Sequence, residues 1–235
     1  VAQLINLGSV ATSSLSITQD MLNQMTATTL TIGGAAQTAD ITISGPIDTV
    51  VAPGLGGQLV LITQGSISDS GSTSITATTL NLTAGNTVNL NTAINRSSIQ
   101  LTAAGNVTLQ NSGNLQLLDV DTSDGTITVA SSGQLSAGNV QSGNNNAINL
   151  SGSSIVVDRI NAAAGNVSLT ASTGAISQLN AVSATEVSAA QLTATSASGI
   201  NLDTSVASAD LSVTGTGNIT LNNAVALNLL DVDSA

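Results

Sequence analysis

Residues 99 to 129 read IQLTAAGNVTLQNSGNLQLLDVDTSDGTITV. Within this stretch the triplets Ile99-Gln100-Leu101, Val107-Thr108-Leu109, Leu115-Gln116-Leu117 and Ile127-Thr128-Val129 each enclose one polar residue between two apolar ones. That is a period of two, the pattern of a strand whose alternate side chains point to opposite faces. The outer residues of each triplet belong to a core and the middle one to water. The same pattern recurs at Ile41-Thr42-Ile43, Leu80-Asn81-Leu82, Ile148-Asn149-Leu150, Val167-Ser168-Leu169 and Ile219-Thr220-Leu221, always with Thr, Asn, Gln or Ser in the middle.

Between triplets stand turn formers, most often Gly followed by Asn: Gly85-Asn86, Gly105-Asn106, Gly113-Asn114, Gly138-Asn139, Gly165-Asn166 and Gly217-Asn218. Both residues tolerate positive φ, so each pair is expected to be a corner. Gly85, Gly105 and Gly125 follow one another at an even spacing of 20. Short strands and tight corners that recur with a period of 19 to 20 define a parallel β-solenoid. About 12 such coils, stacked at about 4.8 Å, predict a rod roughly 55 Å long.

A longer repeat is superposed on the coil. Residues 105 to 121, GNVTLQNSGNLQLLDVD, match residues 217 to 233, GNITLNNAVALNLLDVD, at 11 of 17 positions with an offset of 112. Upstream, NTVNLNTA aligns with SGINLDTS in the same register, and farther back ITISG at 41 to 45 aligns with INLSG at 148 to 152 at an offset of 107. The expected organisation is two continuous super-repeat copies, 1–117 and 118–235, the second breaking off within a unit. Neither end reads as the polar cap that a solenoid normally carries over its open strand edges. Helix competes in several Ala-rich stretches such as residues 181 to 198, AVSATEVSAAQLTATSAS, where Ser and Thr disfavour it; a looser coil of strands is expected there.

Composition supports a folded aliphatic rod. The chain has 41% hydrophobic residues, no aromatic residue, no Cys, no His, only 6% charged residues and a formal charge of −11. A core of Ile, Leu, Val and Ala is therefore available, and disorder, which goes with low hydrophobicity and high charge density, is not the expectation. With Arg96 and Arg159 as its only cations, the chain lacks the positive surface that nucleic acid or an anionic bilayer requires. No apolar run reaches the roughly 20 residues of a membrane span. Uncharged outward residues also suit stacking, because like charges on successive coils would lie within about 5 Å of each other.

The phrases LTAGNTVNL, LTAAGNVTL, AAAGNVSLTASTGAI and GTGNITLNN resemble the filamentous haemagglutinin-like repeats of large bacterial two-partner-secreted and autotransporter-type adhesins. The resemblance covers nearly the whole chain. It implies an all-β, right-handed parallel β-helix exported to the cell surface, there serving as a fibre or adhesin stalk. The secretion-signal and receptor-binding modules of that family are not recognisable in the sequence.

The carboxylates are the remaining candidates for chemistry. Asp119, Asp121 and Asp124 form the densest group, echoed by Asp231 and Asp233. In LLDVD, Leu118 and Val120 are expected to point inward and both Asp outward, with Cα atoms about 6.5 to 7 Å apart. Such a pair suits a hard cation such as Ca²⁺ or, in a β-helical polysaccharide lyase or hydrolase, acid and base roles. The plainer reading takes them as solvated residues at strand exits. Duplication in both copies favours this, and the GGxGxD pattern of Ca²⁺-binding repeats is absent. Asp158-Arg159 reads as an exposed polar pair. The sequence offers no catalytic residue set, no cofactor motif and no dedicated metal site, so no enzymatic role is expected, and the resemblance implies an extracellular structural element. Its expected partners are further repeats of the same chain, other copies meeting it end to end or laterally, and a host or neighbouring-cell surface. The alternative is a subunit that polymerises head to tail.

Overall fold

Strands form where the triplets predict them. In the computed structural model, which describes residues 3–71, 74–179 and 185–235, both flanks are buried in eight of the nine triplets, and only Ile219 and Leu221 are part-exposed. The protein is 62% strand and 2% helix, and its sheet is all-parallel, wound into a β-solenoid.

Two ladders of strands carry the coil. In the first, the Cα partners run Leu15, Ile5, Ile41, Ile67, Val88, Val107, Ile127, Ile148, Val167, Leu192, Ala209, Leu229. In the second they run Thr29, Gln58, Thr79, Arg96, Gln116, Ser136, Val156, Ser177, Asn201, Thr220. From Val88 to Val167 each step advances the numbering by 19 to 21, as the glycine spacing predicts. Ile67 to Leu229 makes about 8 turns. Two long steps precede them, Ile5 to Ile41 with an advance of 36 and Ile41 to Ile67 with an advance of 26. Dividing the chain by 20 therefore overcounts the turns, but because Ser14–Thr18 folds back outside Leu4–Gly8 the first ladder still holds twelve strands, and its eleven spacings at about 4.8 Å give a rod of about 53 Å. The Ala-rich stretch is strand over Val187–Ser196, and the step that contains it, Val167 to Leu192, is longer than its neighbours, an advance of 25. Residues 181–184 of that stretch lie outside the described residues.

The core consists of aliphatic columns into which buried hydroxyl and amide side chains are set, and these bond carbonyls of a neighbouring rung. Ser97 Oγ donates to Leu80 O at 2.9 Å, Thr122 Oγ1 to Gly105 O at 3.0 Å and Ser142 Oγ to Gly125 O at 2.7 Å. Buried hydroxyls are tolerable only when so partnered.

The glycine corners hold for a reason different from the predicted one. Among the six Gly-Asn pairs only Gly113 has positive φ, +101°. Gly125 is required by close approach instead: a Cβ there would lie 1.8 Å from Gly105 O of the preceding coil. Gly138-Asn139 is no corner at all and lies inside strand Leu135–Ser142. Its place is explained by Leu118, which is 41% exposed and not inward as predicted. A bulge between Leu117 and Asp119 turns Leu118 and Asp119 both outward before Val120 returns to the core. Gly138 sits against that bulge, where a Cβ would come within 2.7 Å of Leu117 O.

The offset of 112 is reproduced strand by strand. Ile75–Ala84, Val88–Leu101 and Val107–Asn111 correspond to Val187–Ser196, Ile200–Val213 and Ile219–Asn223. Val88 lies on the first ladder, whereas Ile200 lies on the second. The first end of the rod is more covered than the sequence suggests. Strand Ser14–Thr18 folds back outside Leu4–Gly8, and the short helix Gln19–Leu22 buries Leu22. Gln19 fastens that helix by bonding both Asp48 O and Asp48 N at 2.8 Å.

Candidate functional site

The predicted acidic groups do not converge. Asp119 and Asp121 both face outward from strand Leu115–Thr122, as expected, and Asp119 Oδ1 accepts from Asn139 Nδ2 at 2.7 Å. Asn139 is followed in the same column by Arg159, so an amide separates the carboxylate from the guanidinium. Asp124 has a partner of its own, Asn146, whose Nδ2 donates to Asp124 Oδ1 at 2.7 Å. Asp231 and Asp233 lie on the other ladder, beside Asp210 and Ser212. Among the described residues no three His, Cys, Asp or Glu side chains group closely enough to hold a metal ion. Asp158 and Arg159 are exposed, as predicted.

Among the described residues, like charges do meet on successive rungs in two places. One is Asp210 against Asp231 at the open end, where water screens them. The other was not singled out in the sequence. Glu186, the only Glu in the chain, is 1% exposed. Its backbone N donates to Asp203 O at 2.9 Å, and its Oε2 accepts from Asp203 N at 3.2 Å. Burial pushes the Glu186 carboxyl above its ordinary range, and the negative charges of Asp203 and Asp158 add to the rise against the two backbone bonds that oppose it. Gln178 completes the group by donating from Nε2 to Asp203 Oδ2 at 3.4 Å, while its buried Oε1 has no partner. A solitary Glu in an Ala, Ser and Thr stretch was the only sequence signal available.

No family model, curated protein or solved structure matched the chain. The fold therefore rests on the ladders themselves, and the haemagglutinin-like resemblance remains an implication of the repeated phrases.

The surfaces left over are of two kinds. A shallow groove lined by Asn91, Thr92, Gln110, Asn111, Ala130 and Ser131 carries hydroxyls and amides but no charged group. The last rung, by contrast, exposes apolar side chains. Val107, Leu109, Leu117 and Val120 are each 0% exposed beneath the next coil, whereas two of their counterparts at the offset of 112, Leu229 and Val232, are 54% and 47% exposed. Strands Ile219–Asn223 and Asn228–Ser234 each pair on one side only, with strand Ile200–Val213.

Proposed function

We propose that this chain is a rigid, non-catalytic spacer within an extracellular bacterial fibre or adhesin stalk. The observation that carries the reading is the unbroken pair of parallel ladders, in which every turn adds about 4.8 Å of length and is clamped to its neighbours by backbone hydrogen bonds. A solenoid of this kind supplies reach and stiffness from repetition alone. Three features support placement outside the cell. The chain has no Cys to be oxidised, only Arg96 and Arg159 for trypsin-like proteases to find, and a surface of Ser, Thr, Asn and Gln with a net charge of −11 that favours solubility. A host or neighbouring-cell surface is the proposed target of the fibre, reached through parts other than these coils.

The test joins shape to location. Rotary-shadowed or cryo-electron micrographs of the purified chain should show straight rods, and a Cys placed at exposed Leu179 should react with a membrane-impermeant maleimide on intact producing cells. Labelling only after lysis would overturn the extracellular reading. Bent or globular particles would overturn the spacer.

A further inference from the structure

We infer that the groove on strands Val88–Leu101, Val107–Asn111 and Ile127–Ser131 binds a neutral oligosaccharide. This goes beyond the spacer reading, which neither requires such a ligand nor supplies one.

The shape follows from one short side chain. Asn91, Gln110, Ala130 and Ser151 follow one another outward on successive rungs of the first ladder. Ala130 reaches least far and leaves a hollow of about 480 Å³, lined also by Ser74, Ser112 and Ser132. That volume is within the range of small-ligand sites.

The lining carries hydrogen-bonding groups with capacity to spare. Among the described residues, the Gln110 amide and the Ser74 and Ser112 hydroxyls have no hydrogen-bond partner. Ser132 Oγ accepts from Gly113 N at 2.7 Å and keeps its own proton to donate. Asn91 Nδ2 donates to Asp69 Oδ2 at 2.8 Å and to Gly71 O at 3.4 Å, which leaves its Oδ1 to accept. Donors and acceptors are thus mixed, as a sugar hydroxyl, itself both, requires. Charge is missing from the lining. Asp69 is engaged through both oxygens, by Asn91 N and Nδ2 and by Gly71 N, and Arg96 and Arg159 lie on the second ladder. An ionised ligand would lose hydration without meeting a counter-charge, and a hydrocarbon would bury the amides and hydroxyls unpaired. A neutral sugar does neither: its hydroxyls pair with the lining while a C–H face rests on the Ala130 methyl.

The long repeat separates scaffold from site. Thr92 and Asn111, bonded to each other, recur as Thr204 and Asn223 with the same bond. The outward residues change: Ser74, Asn91, Gln110 and Ser112 have Glu186, Asp203, Asn222 and Ala224 at the offset of 112. Glu186 Oε2 accepts there from Asp203 N at 3.2 Å, the bond that Asp69 Oδ2 makes with Asn91 N at 2.5 Å. The same backbone therefore carries an acidic lining in one copy and a neutral one in the other, so the neutral lining is not imposed by the fold.

The test is an array of neutral, sialylated and sulfated oligosaccharides of microbial and mammalian types, probed with the whole chain labelled through Leu179→Cys on the second ladder. Isothermal titration calorimetry then follows the neutral oligosaccharide that gives the strongest signal. Neutral glycans should bind and charged ones should not, and the type that binds identifies the source. Gln110→Ala should weaken binding about tenfold, the loss of one to two hydrogen bonds. Ala130→Gln fills the hollow and should abolish binding, whereas Gln100→Ala, exposed on the second ladder, should leave it unchanged. Circular dichroism checks that each variant keeps its fold. Failure of every neutral glycan to bind, preference for charged ones, or binding that survives Ala130→Gln in a folded variant would overturn the inference. None of these results alters the shape of the rod or its labelling on intact cells, so the spacer reading is judged separately.

Discussion

Asn111 and Asn223 occupy the same place in the long repeat, and their replacement by Ala should reveal how far each depends on the coil above it. Asn111 is 4% exposed, and its amide behaves as an extra peptide group in the ladder. Oδ1 accepts from Ile94 N and Thr92 Oγ1, both at 2.9 Å, and Nδ2 donates to Ile94 O at 3.1 Å. Asn223 repeats the arrangement, with Val206 N at 2.9 Å, Thr204 Oγ1 at 2.8 Å and Val206 O at 2.9 Å. Asn111→Ala strands the N–H and C=O of Ile94 away from water, and each buried unsatisfied group costs about 1–3 kcal/mol. Thr92 can turn to Gln110 O and recover its bond. The expected loss is about 3 kcal/mol, which in a chain of this size lowers Tm by about 6–12 °C. Asn223→Ala loses the same bonds at a part-exposed edge, where water replaces them, and should cost about 1 kcal/mol. Thermal melts by circular dichroism give the global difference. Hydrogen exchange at Ile94 should quicken by about a hundredfold, since each 1.4 kcal/mol is a factor of ten. Asn111→Asp should be no better than Ala at neutral pH, because a carboxylate cannot donate to Ile94 O. Equal losses at the two positions, or a tolerated Asp, would refute the reasoning.

Leu109→Ala should cost about 2–5 kcal/mol as a buried cavity, and Leu221→Ala under about 1 kcal/mol in dilute monomer, measured by the same melts. Gly125→Ala forces apart two coils whose backbones already touch and should cost about 3 kcal/mol, whereas Gly34→Ala, with nothing within 4 Å of its Cβ, should be neutral. Glu186→Gln should raise Tm at pH 7. Because the folded carboxyl is raised above its unfolded value, its favourable contribution is complete below about pH 4.3 and is lost as pH climbs through the folded value. The advantage of Gln should therefore shrink to nothing in acid, and a Tm difference that persists there would show that burial of the carboxylate is not its source.

The features legible in the sequence are those set by near neighbours along the chain or by one repeat. Val107-Thr108-Leu109 announces its inward and outward faces because strand alternation is local, and the coil length follows because each corner glycine answers to the next. What escaped depends on which strand lies beside which. Leu118 breaks its alternation because of a bulge against Ser97 and Ser98, which belong to the preceding turn. Strand Ser14–Thr18 obeys the triplet pattern, but nothing in it says that it folds back outside Leu4–Gly8 rather than forward onto the next coil. Glu186 is buried through pairing with Asp203, and the two acidic groups that echo each other in sequence, Asp119 with Asp121 and Asp231 with Asp233, fall on separate ladders. Each of these is a register fact, and register between strands a whole turn apart is not written in composition or spacing.

The two ladders also explain how the long repeat and the coil coexist without sharing a period. From Val88 the first ladder takes six steps to reach Ala209, passing Leu192 on the fifth, and Ile200 falls between those two on the second ladder. The offset of 112 is thus about five and a half turns, and successive units begin on alternate strands of the coil. Asn111 and Asn223 nevertheless make the same bonds, and Val88 is to Val107 as Ile200 is to Ile219. Both are possible because each strand pairs only with strands one turn away. The corners on the two sides of the coil are locally interchangeable, so a unit can be duplicated at a half-integral number of turns without losing a one-turn contact. Stability in such a chain is close to a sum over adjacent coils. The repeat length is therefore free to drift from the coil length, and a motif such as LLDVD reappears on the other ladder, about 26 Å farther along the rod at about 4.8 Å per turn.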